Sequence, residues 1–507
     1  MPRVRSDTDP AQRSAANAAP LRPVPELAQA SHDTLNPPKL LAFMLQSWRA
    51  RSARPPAKIA GWQRFQARRA ALSKSFPGEL LVIPTGHEKV RSNDTGYRFR
   101  PGSDFYYLTG NLESDCVLLM VPTGDGHAAW LFVEPNPGRS SSAFFTDRAK
   151  GEFWVGPRLG VPESQLRFQV ERALSLVELD QVLTEKAGLA RRVLRGLSPT
   201  LDALAPSHGA AQPDHQKKDH ELATALSEMR LIKDNLEIRA LKSAIAATRN
   251  AFEDVVRQLP KLGSEREVEG IFNLRARVEG NDVGYGTIAA AGANATILHW
   301  TRNDGRVSKG DLLLLDAGVE GNELYTADVT RTLPISGRFT KPQRQVYELV
   351  LAAQAAAFAE VRPGRHFMDP HRAAMAVLAH GLYGLGILKS PPEEALLDEN
   401  QFYKRYSLHN VSHMLGIDVH DCAQARTQNY KYGALLPGMV LTVEPGLYFQ
   451  LDDLTVPRQY RGIGVRIEDD VLVTRSGHVN LTAGFPSSVQ AVEAWVKPAT
   501  PRGRRAR

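Results

Sequence analysis

Five side chains place the tightest constraint on how this 507-residue chain can fold. They are Asp316, Asp328, His413, Glu444 and Glu468, spread over about 150 residues in the contexts LLLLDAGVE, YTADVTRT, HNVSHMLGID, LTVEPGLY and GVRIEDDVLV. Four carboxylates and one imidazole are a hard, oxygen-rich donor set, which suits manganese or a similar divalent ion better than thiolate-loving metals. A single ion would leave the mutual repulsion of four carboxylates poorly offset. Two dications bridged by shared carboxylates would balance it, which points to a binuclear hydrolase site.

Each residue has a bland reading as well. Asp316 ends the apolar run LLLL, and a lone Asp after a strand is usually a turn former. Asp328 shifts that balance, because the intervening GVEGNELYT reads as a hairpin loop that brings two carboxylates side by side across adjacent strands. Such a pair repels unless a cation sits between its members. His409, His413 and His420 fall within twelve residues, out of fourteen histidines in all. One could be a core histidine satisfied by a carbonyl; three together fit one ligand and two groups that hold substrate or shuttle protons. His299, in TILHWTRND, by itself reads as structural. Glu444 closes an apolar strand at Pro445–Gly446 and should point into a cleft. Arg466 and Glu468 alternate with Val465 and Ile467, so period two puts the Arg and the Glu on one strand face.

Along the chain, residues 1–36 are rich in Ala, Pro and polar residues and read as disordered. Their Arg, Ser and Ala content is loosely that of a transit peptide, against which stand Asp7 and Asp9. A helical pattern over Lys39–Arg51 is broken by RPPAK, and another covers Ile59–Lys74. Strands are expected at Leu80–Ile83, Cys116–Val121 and Ala129–Val133, which together suggest an α/β domain. The stretch 209–230 reads as a polar domain connection. After it, Asp234 and Glu237 form a capping-box-like start to a long helix. Further elements are expected at Leu312–Leu315, Lys341–Val361, Pro370–Gly384, Val440–Glu444 and Ile463–Val473. The domain reading is a disordered or partly helical extension over 1–58, an α/β domain over 59–220, a catalytic domain over 221–487 and a basic tail over 488–507.

Composition matters here for what it excludes. Of the net charge of +8, residues 1–60 hold +5 and 497–507 hold another five positive charges, leaving the body near −2. The basicity belongs to the ends, so no specific nucleic-acid partner is expected. No uninterrupted apolar stretch is long enough for a membrane helix, the start lacks a secretory h-region, and Cys116 and Cys422 cannot make a disulfide framework. A cytoplasmic protein fits these features.

The segments DAG, ADVTRT, SH…VHD, TVEPGLY and GVRIEDD occur in that order over 235–487, and this half resembles the pita-bread metallopeptidases, the family of methionine aminopeptidase, aminopeptidase P and prolidase. RSNDTGYRFRPGSDFYYLTG, EFWVGPRLG and EMRLIK resemble the aminopeptidase P N-terminal domain. The implied fold class is α/β (α+β), an aminopeptidase P-type domain followed by a pita-bread catalytic domain. The resemblance implies an Xaa-Pro aminopeptidase acting through a dimetal-bridged hydroxide, with two Mn(II) ions per subunit or other divalent metals. It makes Asp316, Asp328, His413, Glu444 and Glu468 the ligands, Asp328 and Glu468 bridging. It makes His299 and His420 substrate contacts that stabilise the transition state, and places His409 at the proline pocket and Arg466 beside the last ligand. Glu444 would also carry the proton. Peptides with N-terminal Xaa-Pro are the implied substrates and a homodimer or homotetramer the implied assembly, with Asp104 and Trp154 reaching a neighbouring subunit's site. A prolidase, a non-catalytic scaffold and a metal-independent creatinase-like hydrolase are the alternatives. Two departures stand out: the Asp316–Asp328 spacing is one residue longer than the pattern, and CAQARTQNYKYG follows VHD where a glycine-containing turn is usual.

Overall fold

The computed structural model describes residues 36–49, 55–204 and 212–497, so most of the segment expected to be disordered lies outside the described residues, as does the end of the basic tail. The chain divides into two compact units, Met1–Ala225 and Leu226–Arg507.

In the first unit the helix expected over Lys39–Arg51 is shorter, α1 at Pro38–Met44. It buries no residue, and the Trp48 indole donates to the Met44 carbonyl just past its end. Helix α2 spans Trp62–Ser75. A five-stranded mixed sheet follows, formed by β1 (Leu80–Pro84), β2 (Val117–Thr123), β3 (Gly126–Val133), β4 (Arg172–Ser175) and β5 (Arg191–Val193) in the order β4-β3-β2-β1-β5. β1 and β2 are antiparallel, and β1 pairs in parallel with β5. The stretch around 209–230, expected as a polar connection, contains an eighteen-residue helix, α3 (Gln212–Met229). Its pattern is hidden because charged residues crowd its first half, while Leu222 and Leu226, a turn apart, supply the buried stripe.

Within the second unit, α4 (Asn235–Gln258) is started by Asp234, which accepts from the Leu236 and Glu237 amides while Glu237 reaches back, a complete capping box. Helix α5 (Glu265–Glu279) follows, capped by Ser264. Strands β6 (Ile288–Ala291), β7 (Leu312–Ala317) and β8 (Val329–Pro334) form an antiparallel sheet in the order β8-β7-β6. Helices α6 (Lys341–Glu360) and α7 (Asp369–Gly384) come next. The closing strand expected at Val440–Glu444 is present and a further short strand follows Pro445, whereas the one expected at Ile463–Val473 divides in two. β9 (Val440–Val443) pairs with β12 (Asp469–Val473), whereas β10 (Gly446–Tyr448) pairs with β11 (Gly464–Arg466) in a separate sheet. Pro445, without an N–H to donate, sits where the first strand changes partners.

Leu313, Leu315 and Ala317 enter the main core with Phe252 and Val255 of α4, Phe272 of α5 and Val350 of α6. The alternate residue Leu314 packs on the other side of β7 with Ile288, Ala290 and Tyr448. Period two therefore gives Asp316 to that second face. Phe252 is a keystone of the core, with its ring 5.9 Å from Phe272, 5.4 Å from Phe485 and stacked 6.5 Å from Trp495. Replacing it by Ala should cost about 3–5 kcal/mol. The check is the denaturant midpoint of the second unit, which should fall whether or not metal is present; an unchanged midpoint would mean the cavity collapses.

Candidate functional site

The site starts from β7 and β8. Asp316 is inside β7, not beyond its end, and stands opposite Thr330. Asp328, just before β8, shares the Thr330 face two residues away, so the two aspartates are diagonal neighbours and not directly opposed. The loop expected between them contains a two-residue strand, Val319–Glu320, paired with Asp282–Val283. Its tight return includes Leu324 in the left-handed region at φ 61°. The Tyr285 hydroxyl is hydrogen-bonded to both carboxylates, at 2.7 Å from Asp316.

The two glutamates arrive at the points where strands change sheets. Glu444 follows β9 and precedes Pro445; Glu468 lies between β11 and β12. The Glu468 amide donates to the Thr330 carbonyl at 3.1 Å, and its carboxylate accepts from the Thr330 hydroxyl at 2.6 Å. His413 comes from an irregular segment laid along β9: its amide donates to the Thr442 hydroxyl at 3.1 Å, and its carbonyl accepts from the Thr442 amide at 2.9 Å. That pairing aims Nε2 at Asp328 (3.4 Å) and Glu444 (3.3 Å). Asp328, His413 and Glu468 each offer a ligand atom within 4.8 Å of the other two.

Arg466 closes the acidic side, with its guanidinium donating to Asp316, to the Tyr448 hydroxyl at 2.8 Å and to Thr330 Oγ1 at 3.2 Å. The expected shared face of Arg466 and Glu468 is therefore present, although the strand breaks between them. His409 lies 3.4 Å from Glu444 and 2.8 Å from the Tyr448 hydroxyl. His420 sets its ring edge-on to His413, with centroids 4.4 Å apart. His299 is exposed on a segment near enough for its charge to act on His420. Asp104 and Trp154 belong to the first unit; Trp154 donates to the Phe145 carbonyl at 2.6 Å and leaves half its surface exposed.

Burial and mutual repulsion show directly in the ionisation of these groups. Asp328 is pushed up to about 6 by burial and by Asp316, with His413 acting in opposition. Glu468 is raised well above the carboxylate range by burial and by Asp328, Glu444 and Asp316. Glu444 goes the other way: its hydrogen bond to His413 and the charges of His409, His413 and Arg466 overcome burial and hold it at about 2. Burial would lower His413, but Asp328 and Glu444 raise it well above its ordinary value. Burial and the neighbouring His413 lower His420. The cluster is short of positive charge and its donors are carboxylates and an imidazole; Asp328, His413 and Glu468 come close enough together to fit a divalent cation, and Asp316 and Glu444 stand outside that group of three.

Sequence reasoning missed Tyr285, Tyr448 and Asp470. Tyr285, in DVGYGT, carries no local signal for its contact with two aspartates more than thirty residues on. Tyr448 lay within the quoted TVEPGLY. Asp470 accepts from the Asp328 amide at 3.2 Å, and extending the alternation of Arg466 and Glu468 by one step would have found it. At Cys422, within the departure from the glycine-containing turn, the backbone takes a left-handed φ of 62°; this buried cysteine holds a conformation that favours glycine.

Residues 239–475 match the model of metallopeptidase family M24, and residues 65–194 match that of the aminopeptidase P N-terminal domain. Xaa-Pro aminopeptidase 1 of Streptomyces coelicolor is 52% identical over 432 residues, covering 85% of this chain and 86% of that protein. The low-pH form of Escherichia coli aminopeptidase P superposes with a TM-score of 0.77 at 33% identity, covering 87% of this chain and 99% of that one. Zinc-substituted E. coli aminopeptidase P in complex with product superposes with a TM-score of 0.75 at 32% identity, with the same coverage.

The raised Asp328 pKa has a testable sign. Protonated Asp328 favours the folded state fully below the unfolded carboxylate value of about 4, and that advantage is lost as pH rises through about 6. In chelator, Asp328→Asn should therefore melt above the wild type at pH 7 and by a smaller margin at pH 4.5. A margin independent of pH, read by differential scanning calorimetry, would contradict the assignment.

Proposed function

The chain belongs to metallopeptidase family M24, and on that premise we propose how its site works as an Xaa-Pro aminopeptidase, a metal-dependent hydrolase that releases the N-terminal residue from peptides with proline in second position. The observation that carries the activity is one of extent: at 52% identity, a Xaa-Pro aminopeptidase aligns over 85% of the chain, and the N-terminal domain model matches as well. The prolidase alternative is not favoured by these relatives.

Asp316, Asp328, His413, Glu444 and Glu468 would hold two divalent cations, Mn(II) by the hardness of the donors. Bound there, such ions supply the Lewis acidity that polarises the scissile carbonyl and acidifies a water molecule. The protein's own groups do the rest. Glu444, ionised at neutral pH, accepts the proton of the attacking water and returns it to the departing proline nitrogen. His420, kept neutral by burial and by His413, and His299 donate N–H bonds to the developing oxyanion. His409, fixed by Tyr448, borders the proline pocket, and Arg466 orients Asp316. The carboxylate cluster attracts the substrate's free amino group, which confines cleavage to the N-terminus.

The exposed Phe153, Trp154 and Val155 of the first unit suit contact with a second copy, which supports a homodimer or homotetramer. Two free, buried cysteines suit a reducing cytoplasm.

A release assay on Mn(II)-loaded protein should show cleavage of an Xaa-Pro-Yaa peptide. Cleavage of an Xaa-Pro dipeptide alone would instead make the enzyme a prolidase, and no cleavage of either would favour a scaffold. Chelation should abolish turnover and Mn(II) should restore it. Glu444→Gln should lose about 10²–10⁴-fold in kcat, and near-normal turnover of that variant with metal bound would remove Glu444 from its proposed role.

A further inference from the structure

The mechanism leaves Glu265 without a task, yet this carboxylate is fully buried and all four of its accepted hydrogen bonds come from one stretch of chain. One oxygen accepts from the Ala291 amide at 2.7 Å and from Asn294 Nδ2 at 2.9 Å. The other accepts from Trp300 Nε1 and from the Gly305 amide, each at 2.7 Å. The Glu265 amide in turn donates to the Gly305 carbonyl at 3.0 Å. Gly305 is packed so closely that a Cβ there would lie 2.7 Å from the carboxylate.

His299 sits in the middle of this stretch. From Ile297 to Gly305 the chain has neither helix nor strand, so no backbone ladder sets its course. Side-chain anchors do so instead. Glu265 grips the segment before His299, at Ala291 and Asn294, and again after it, at Trp300 and Gly305. Asn303 adds a second tie, accepting from the Ala289 amide at 3.0 Å and donating to the Thr287 carbonyl at 2.9 Å. A buried anion is tolerated at the first residue of α5 because four donors and the helix N-terminus compensate its charge. His299 itself stays exposed, which leaves its imidazole available.

We propose that Glu265 is the positioning residue that presents His299 to the substrate. It touches no reacting atom and acts only through the 291–305 segment. The inference rests on the reading that His299 stabilises the transition state, so its test must separate the two.

Glu265→Gln turns one acceptor oxygen into a donor, so two of the four bonds are lost whichever way the amide points. Trp300→Phe is milder, keeping the ring and deleting one donor. Steady-state kcat and KM on an Xaa-Pro-Yaa peptide are to be measured for both, for His299→Ala, and for each combined with His299→Ala. We expect Glu265→Gln to lower kcat about 10- to 100-fold with KM nearly unchanged, and Trp300→Phe to act in the same direction by a smaller factor. On the His299→Ala background both should add almost nothing. An equal fold-loss with and without His299, or a full kcat when His299→Ala is impaired, would overturn the positioning role. If His299→Ala keeps a wild-type kcat, the transition-state reading of His299 fails, and the inference with it. Should Glu265→Gln not fold, the Trp300→Phe cycle decides the question alone.

Discussion

Repulsion among buried carboxylates is the constraint on which the rest of this structure depends. Asp316, Asp328, Glu444 and Glu468 lie close enough to disfavour one another's ionisation, and such a gathering is unfavourable without compensation. The chain supplies part of it through Arg466, His413, the Tyr285 hydroxyl and the Thr330 hydroxyl. The remaining shortfall of positive charge appears as raised Asp328 and Glu468 pKa values. A fold that tolerates this deficit stores a preference for cations, and that preference is what a metallopeptidase uses.

The same constraint explains why two strands abandon their partners midway. β9 gives way to β10 at Glu444–Pro445, and β11 to β12 at Ile467–Glu468. A strand continuing straight would bury its carbonyls in a ladder and send successive side chains to alternate faces. Changing sheets turns both glutamates toward the β7–β8 pair. The carbonyls freed by the change do not go unpaired, because Gln354 of α6 donates to Val443 and to Ile467, each at 3.2 Å, and to Asp469 at 2.8 Å. Arg331, also buried, donates to the Glu468 carbonyl at 2.5 Å and to Asp469 at 2.8 Å. Two polar side chains thus hold the crossover rigid in a region where backbone pairing has lapsed.

Rigidity is distributed unevenly, in a way that suits the chemistry. The carboxylates stand in or beside strands, with Arg331 and Gln354 holding the backbone around Glu468, whereas His409, His413 and His420 come from an irregular segment tied to Val440, Thr442, Glu444 and Tyr448. His299 hangs from Glu265 and Asn303. The carboxylates therefore sit in or beside strands, whereas the imidazoles, His413 among them, rest on loops whose shape side chains decide.

Much of the site was legible because its chemistry is local. A carboxylate after LLLL, another in ADVTRT and an alternating Arg and Glu in GVRIED stand out by local context, and the Asp234–Glu237 capping box announced α4. Sequence by itself thus determined the donor chemistry, the order of the elements and the family resemblance, since each lives in a few consecutive residues. Tertiary structure alone decided that Asp316 lies within its strand and diagonal to Asp328, that the stretch 463–473 is two strands and another follows Pro445, that the polar 209–230 stretch contains a helix, and that Tyr285 and Glu265 matter. Those outcomes rest on contacts between residues tens to more than a hundred positions apart, and no local pattern encodes which distant partner will satisfy a buried charge or an orphaned carbonyl.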